Sequence, residues 1–434
     1  MSNPNQTTTL LNKIANRQAR LAVVGLGYVG LPLAVAFAEA GFHVTGIDTD
    51  PHKVDLLQAG QSYIEDVAET RIAALRNRQK ITFSTDYTHL ATVDCISICV
   101  PTPLTDTHEP DLSYMINAIT DIVAAGGQNQ LIILESTTYP GTTQELILPY
   151  LNGQPGQDFY LAFSAERIDP GRTDYTIHTT PKVMGGITPT CLQVAQSLYA
   201  TIVHHVVTVS STTAAEMVKL VENTFRAVNI GFINEVALMC HHLNLDVWEI
   251  VRAAATKPYG YMPFYPGPGL GGHCIPIDPL YLSWKLRTIG YKTRFIDVAQ
   301  EINDFMPHHV INKTNDALNE DCKSIKNSNI LIIGVSFKPN VSDVRESPAL
   351  KIIELLANKG AHVTYHDPLV PQLRVGDTLY QSVSLTTAAD ADCAIIVTNH
   401  QNIDWHWVQK NVPVIVDTRN ALAGQATGRL INLS

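Results

Sequence analysis

The chain has 434 residues, 45% of them hydrophobic and 16% charged, with a net charge of −10. That length holds two or three domains with substantial cores, and the composition is that of a globular protein rather than a disordered or fibrous one. The acidic balance argues against nucleic acid or an anionic membrane surface as the main partner and leaves room for a local pocket for a small anion.

The first twenty residues lack the apolar core of a secretory signal, and no apolar run is long enough to span a bilayer. Seven cysteines, at 95, 99, 191, 240, 274, 322 and 393, include no CxxC pair. An odd, scattered set fits thiols in a reducing compartment, so a cytoplasmic location is expected. No His/Cys spacing suggests zinc, and no metal is expected.

The first element pattern is "RLAVVGLGYVGLPLAVAFAEAGFHVTGIDTD", residues 20–50, which reads as strand, glycine turn, helix, strand. Gly25 permits the tight turn, Gly27 the close approach of a pyrophosphate, and Gly30 the packing of helix on strand. The backbone N–H groups of this turn, with Tyr28 and Val29 inside it, lead into a helix N-terminus suited to phosphates. Asp48 ends the next strand, where a carboxylate accepts ribose hydroxyls and repels a 2′-phosphate, so NAD is expected rather than NADP. Short apolar strands follow in "DCISICV" and "LIILES", and such βα alternation predicts a doubly wound parallel sheet. The loops "ICVPTPL" (98–104) and "ESTTYPGTT" (135–143) leave the carboxyl ends of these strands, where ligands gather. Each is equally compatible with plain turn chemistry.

From Ser210 the texture changes. "TAAEMVKLVENTFRAVNIGFINEVALMCHHL" has helical apolar spacing and no proline, and predicts one or two long helices at a domain boundary or subunit interface. Lys219 and Asn223 are spaced i, i+4 on it, and an ammonium with an amide could stabilise an oxyanion. "PGPGLGGHCIPIDP" (266–279) then sets Cys274 among glycines and prolines, with His273 beside it and Asp278 four residues on. A thiol that attacks a carbonyl needs such access and a route to thiolate, whereas Cys95, Cys99, Cys240 and Cys393 sit in apolar contexts that predict buried, inert thiols. Helix is predicted again from Leu280 to about Asn319. A second α/β region opens with "NSNILIIGVSFKP" and runs through "ADCAIIVTNH" to "VPVIVDT". Its "ANKGAHVTYHDP" (357–368) repeats "AEAGFHVTGIDTDP" (38–51), but without a full glycine fingerprint it should bind something other than a dinucleotide. The expected architecture is α/β: two Rossmann-like doubly wound domains, 1–209 and 320–434, joined by a central helical domain, 210–319, that carries the long helix and the cysteine loop.

These motifs, with "FSAERIDPG", "KLVENTFR" and "SFKPNVSDVRESPA", stand in the order found in the UDP-glucose/GDP-mannose dehydrogenase family, the nucleotide-sugar 6-dehydrogenases. The chain resembles that family from "VVGLGYVGLPLA" to "VIVDTRN". The resemblance implies a four-electron oxidation of a sugar C6 alcohol to a carboxylate with two NAD reduced in turn. By position it implies that Cys274 is the nucleophile, which holds the aldehyde as a thiohemiacetal and then as a thioester. Lys219 and Asn223 match the residues that cradle the C6 oxygen, Asp278 the acid of proton removal, Glu166 the glutamate of thioester hydrolysis, and Thr137 the threonine that orders its water. Lys53, Thr102 and Thr137 fall in segments that line the family's cofactor cleft, and Arg345 matches an arginine near NAD. Lys338 matches a nucleotide-binding lysine of a UDP-binding carboxy-terminal domain, while Arg167, Tyr265 and Gly271 lie in segments assigned to substrate. The long helix matches a dimer-forming one, which implies a homodimer or an assembly of dimers.

Within the family the cysteine loop is most like the branch that oxidises UDP-N-acetylhexosamines, UDP-N-acetylglucosamine in particular, for bacterial surface polysaccharide such as capsule or O-antigen. UDP-N-acetylmannosamine, UDP-N-acetylgalactosamine and UDP-glucose remain alternatives. The UDP-glucose branch carries a second glutamate where this chain has Pro170. Ala165 replaces the family's usual proline before the glutamate, and Lys257 is the nearest stand-in for an arginine that some relatives contribute across the dimer. A two-electron dehydrogenase or epimerase would leave the Cys274 loop unexplained, and a non-catalytic sensor would not need Lys219, Asn223, Cys274 and Asp278 together.

Overall fold

The computed structural model describes residues 4–64, 66–105, 107, 109–168 and 174–434; Pro170 lies outside them. The chain divides into two compact units, residues 1–222 and 223–434. No helix among the described residues is long and apolar enough to cross a membrane.

The first unit runs α1 (Pro4–Ala15), β1 (Arg20–Val24), α2 (Gly30–Glu39), β2 (His43–Ile47), α3 (Pro51–Gln58), α4 (Glu69–Asn77), β3 (Ile81–Ser84), β4 (Cys95–Ile98), α5 (Ser113–Ala124), β5 (Leu131–Leu134), β6 (Tyr160–Phe163), β7 (Lys182–Gly186), α6 (Pro189–Tyr199) and β8 (Val206–Thr208). Its eight-stranded sheet has the order β3-β2-β1-β4-β5-β6-β7-β8, and β6–β7 is the antiparallel pair. Every residue of β4, β5 and β6 is buried, which explains their unbroken apolar runs: helices cover both faces. One core lies on the α2 and α6 side with Leu31, Phe37, Phe42 and Tyr199, the other on the α5 side with Met115, Ile119 and Ile122. Each such side chain, once fully buried, contributes about 1.5–3 kcal/mol. α1 packs Leu10 and Ile14 into the first core.

The expected long helix is a single one, α7 (Thr212–Leu243), 32 residues long, and the boundary between the units falls within it. In the second unit α8 (Val247–Ala254), α9 (Asp278–Thr288) and α10 (Phe295–Glu320) follow. The helix expected from Leu280 to about Asn319 is therefore interrupted. α9 ends at Thr288, and beyond its C-cap, Ile289, Gly290 at φ +80° takes the left-handed conformation that closes a helix. At Gly231, α7 meets α10 so closely that a Cβ there would lie 2.9 Å from Ala299 Cβ.

The second sheet is parallel, in the order β10-β9-β13-β14-β15, from β9 (Asn329–Ile333), β10 (His362–His366), β13 (Cys393–Ile396), β14 (Val414–Asp417) and β15 (Arg429–Asn432). α11 (Pro348–Asn358) links β9 to β10, β11 (Gln372–Val375) and β12 (Thr378–Gln381) form a separate hairpin, and α12 (Trp405–Asn411) precedes β14. The repeat seen in sequence extends to backbone detail. Gly25 N donates to Ile47 O and Gly334 N to His366 O, so the same turn leaves β1 and β9. Both glycines have positive φ, and a Cβ on either would strike a carbonyl oxygen, of Cys99 or of Thr398. The architecture is that of two Rossmann-like sheets with a long central helix.

Candidate active site

In the first unit the glycine fingerprint lies between β1 and α2. A Cβ at Gly25 would fall 2.6 Å from Cys99 O, and one at Gly30 would fall 1.8 Å from Gly25 O, so both positions exclude any side chain. At Gly27 a Cβ would meet nothing within 4 Å; the open side of the turn is the space a pyrophosphate needs. Val29, the residue before α2, offers no side-chain cap, Leu31 N donates to Gly27 O within the turn, and exposed Tyr28 lies in the same turn. Asp48 is 7% exposed and accepts from Leu26 N at 2.8 Å and Asp50 N at 3.0 Å, with Lys53 Nζ at 3.6 Å. A carboxylate has about four acceptor positions, so two backbone bonds leave capacity for ribose hydroxyls. These residues fit NAD.

Thr137 is half-buried in the loop after β5, and Thr102 is half-buried in the loop after β4. The Thr137 loop is held by a residue that the sequence reading did not single out. Glu216, buried on α7, accepts from Thr143 N at 2.8 Å and Thr143 Oγ1 at 2.6 Å and also from Gly141 N. Burial lifts its carboxyl above the usual range despite these donors.

One turn further along α7, Lys219 is buried and donates to the backbone oxygen of Glu166 at 2.7 Å. Glu166 Oε1 accepts from Arg167 N (2.6 Å) and Ile168 N (2.9 Å), and its Oε2 accepts from Lys182 Nζ (3.2 Å). Lys182 also reaches Glu135 Oε2 at 2.7 Å, and Tyr199 OH donates to Glu135 Oε1. Burial works to raise the Glu166 carboxyl, but the Lys182 ammonium and the two backbone N–H groups outweigh it and hold it below the usual range. At Glu135 burial wins and the carboxyl is raised. The Arg167 guanidinium is bound to Glu222 and to Pro181 O. Lys182 and Glu135 were missed in sequence; the signal was a charged residue inside or directly after an apolar strand, which is costly without a partner.

In the second unit, Asn223 Nδ2 donates to the buried Asp278 carboxylate, and Asn223 Oδ1 accepts from Arg226. The cysteine loop is pinned at its start: Gly267 N donates to Asn234 Oδ1 at 2.9 Å, and Asn234 Nδ2 donates to Asn303 Oδ1 at 2.8 Å. The Arg419 side chain packs against Gly267 as well, with Nε on Val397 O, and burial draws its pKa down to about 10. Gly271 and Gly272 pass under the Phe337 ring. Cys274 O then accepts from Ile277 N and Asp278 N, and this turn starts α9 with Cys274 just ahead of its N-terminus. Cys274 is partly exposed and outside any disulfide, whereas Cys95, Cys99, Cys191, Cys240 and Cys393 are buried. Burial pushes the Cys99 thiol far up and that of Cys393 to about 12, so both stay thiols.

Arg345 pairs with Asp343 and lies 3.1 Å from His273 Nδ1, beside the cysteine loop. Lys338 lies over the Phe337 ring at 5.8 Å, and exposed Tyr265 stacks on Trp248. Asp367 occupies the place of Asp48 in the repeat, but it is wholly buried. It accepts from the backbone N–H groups of Val335, Ser336, Leu369 and Val370 and from His400 Nε2. His400 Nδ1 accepts from Asn340 N, which places the ring proton on Nε2. Five donors fill this carboxylate, so the second sheet lacks the ribose acceptor that Asp48 provides in the first.

The chain matches three domains of the UDP-glucose/GDP-mannose dehydrogenase family: the NAD-binding domain at residues 19–203, the central domain at 213–305 and the UDP-binding domain at 331–424. It is 34% identical to a UDP-N-acetyl-D-mannosamine dehydrogenase from Pyrococcus horikoshii, covering 94% of this chain and 97% of that protein. It is also 34% identical to a UDP-N-acetyl-D-glucosamine 6-dehydrogenase from Pseudomonas aeruginosa, covering 82% and 84%. A solved structure of a UDP-D-ManNAc dehydrogenase from Pyrococcus horikoshii superposes with a TM-score of 0.87 at 32% identity, over 95% of this chain and 99% of that one. The chain therefore belongs to the UDP-glucose/GDP-mannose dehydrogenase family and is an NAD-using nucleotide-sugar dehydrogenase.

Proposed function

We propose that the protein oxidises the C6 alcohol of a UDP-N-acetylhexosamine to the carboxylate, with UDP-N-acetylglucosamine as the preferred sugar. The observation that carries this reading is the setting of Cys274: a partly exposed thiol in a glycine–proline loop, one turn ahead of α9, whose first residue is the buried acid Asp278. A helix N-terminus stabilises a thiolate, and a thiolate is what an aldehyde carbon captures. NAD, when bound, supplies the hydride acceptor for both oxidations. Asp278, held by Asn223, takes the alcohol proton through water, and the Asn223 amide keeps a second N–H for the C6 oxygen. Lys219 spends one N–H on Glu166 O and has two more to stabilise that oxygen as charge develops. Cys274 adds to the aldehyde and retains the carbon as a thioester after the second oxidation. Glu166 then accepts a proton from the water that attacks the acyl carbon, with Thr137 orienting the water, and Cys274 leaves as thiolate. Lys338 and Tyr265 are assigned to the UDP-sugar and Arg345 to NAD. Domain limits at 209/210 and 319/320 are part of the same reading, as is a dimer formed through α7.

The acetamido sugar is supported by relatives that act on UDP-N-acetylhexosamines, and among these the glucosamine epimer by the sequence of the cysteine loop. The test is kcat/KM for UDP-N-acetylglucosamine, UDP-N-acetylmannosamine, UDP-N-acetylgalactosamine and UDP-glucose in parallel. UDP-N-acetylglucosamine should lead by about tenfold or more, the discrimination that a shaped pocket provides. A higher value for the mannosamine epimer would reassign the sugar, and one for UDP-glucose would remove the acetamido pocket.

A further inference from the structure

The buried charges behind Glu166 form a chain that the reaction, as assigned above, does not use. Ser97 Oγ meets Tyr199 OH at 3.2 Å, Tyr199 donates to Glu135, and Lys182 bridges Glu135 and Glu166. The side chains of Lys182 and Glu135 are 4% and 0% exposed, and that of Glu166 is 12% exposed, at the open end. Taking an ammonium and two carboxylates out of water costs several kcal/mol per ion, so such a cluster is weak evidence for stability and invites a functional reading. β7 sets Lys182 at the first position of a wholly buried strand, β5 sets Glu135 immediately beyond its last residue, and α6 supplies Tyr199 at its end. The ammonium is thus fixed from three elements, with Glu166 as the only partner at the solvent-facing end among the described residues.

We propose that Lys182 is a positioning residue for thioester hydrolysis: it fixes Glu166 Oε2 and keeps that carboxylate ionised, ready to accept the proton of the attacking water. The proposal rests on the assignment of Glu166 to that step. Water adds to the acyl carbon, one of its protons passes to Glu166, and the C–S bond breaks to return the Cys274 thiolate and the carboxylic acid, which ionises by releasing the second proton to solvent. Other charged or titratable groups near Glu166 are Glu135, Cys99 and Tyr199 within the sheet and Lys219, Glu222 and Arg167 around α7. Lys219 meets the backbone oxygen and Arg167 is bound by Glu222, so among the described side chains Lys182 is the cation on the Glu166 carboxylate.

A base whose pKa is held down works to lower pH. Removing the ammonium raises the pKa, so the acidic limb of the hydrolysis rate moves to higher pH, by about one unit or more. The variants are Lys182→Met, Lys182→Arg and the pair Lys182→Met/Glu135→Gln. The double variant removes one positive and one negative charge, so it preserves the cluster's net charge if the single variant does not fold. Decay of the Cys274 thioester is followed by quench and intact mass from pH 5 to 9, with the best UDP-sugar and excess NAD. The expected result is a limb moved up in the methionine variants, thioester accumulation at neutral pH, and a limb restored toward the parental position in Lys182→Arg. A limb within 0.3 unit of the parent in the double variant, as an experimental tolerance of about twofold in proton affinity, would overturn the proposal even if stability fell. Glu166→Gln separates the two levels. If it hydrolyses the thioester at the parental rate, the role of Glu166 fails; if it stalls while the Lys182 variants keep the parental limb, only the role of Lys182 fails.

Discussion

Single residues decide the chemistry, and their contrast is sharpest among the cysteines. Five thiols are buried and packed, and Cys322 is exposed in the turn after α10, while Cys274 sits between a glycine loop and a helix N-terminus with Asp278 near in the chain. Cys274→Ala should therefore lower uronic acid formation by about a thousandfold or more, the scale seen when a nucleophile is deleted, while NAD affinity stays within about twofold. Product assay and NAD titration read the two effects; parental turnover in that variant would rule out the thioester. Cys274, Asp278, Lys219 and Asn223 were visible in sequence because each belongs to a short local motif. Lys182 and Glu216 were not, because their partners lie elsewhere: Glu135 is 47 residues before Lys182, and Thr143 is 73 before Glu216. No local spacing reports such pairs.

Elements set where those residues stand. β1, α2 and β2 were legible because apolar runs and a glycine turn specify them locally, and β4 and β5 because burial on both faces leaves no polar residue to confuse the pattern. The continuation through β6, β7 and β8, with its antiparallel pair, was not: the strands are 3–5 residues long and their pairing is a tertiary choice. α7 was read correctly as long, yet its apolar spacing did not reveal which face is covered. Phe225, Phe232 and Met239 are 48%, 54% and 48% exposed on it, an apolar stripe that water does not favour. If α7 forms the dimer, sedimentation at micromolar protein should give twice the 47.6 kDa of one chain. Phe232→Asp should weaken that association about thirtyfold, as loss of a 2 kcal/mol anchor does. Sedimentation as a single chain would contradict the dimer.

At the scale of the whole molecule, one strand–turn–helix pattern is used twice with opposite outcomes. Asp48 keeps acceptor capacity beside an open glycine turn, whereas Asp367 is saturated by four backbone N–H groups and His400. The sequence repeat 38–51 and 357–368 announced the shared architecture, and the missing glycines announced the difference, but the filled carboxylate is visible only in three dimensions. The central claim, that one sugar is carried through two oxidations before release, is tested most directly by NADH formed per sugar nucleotide consumed, with UDP-N-acetylglucosamine limiting and NAD in excess. The account predicts two NADH and an acidic product for each sugar; one NADH with an aldehyde product would contradict it.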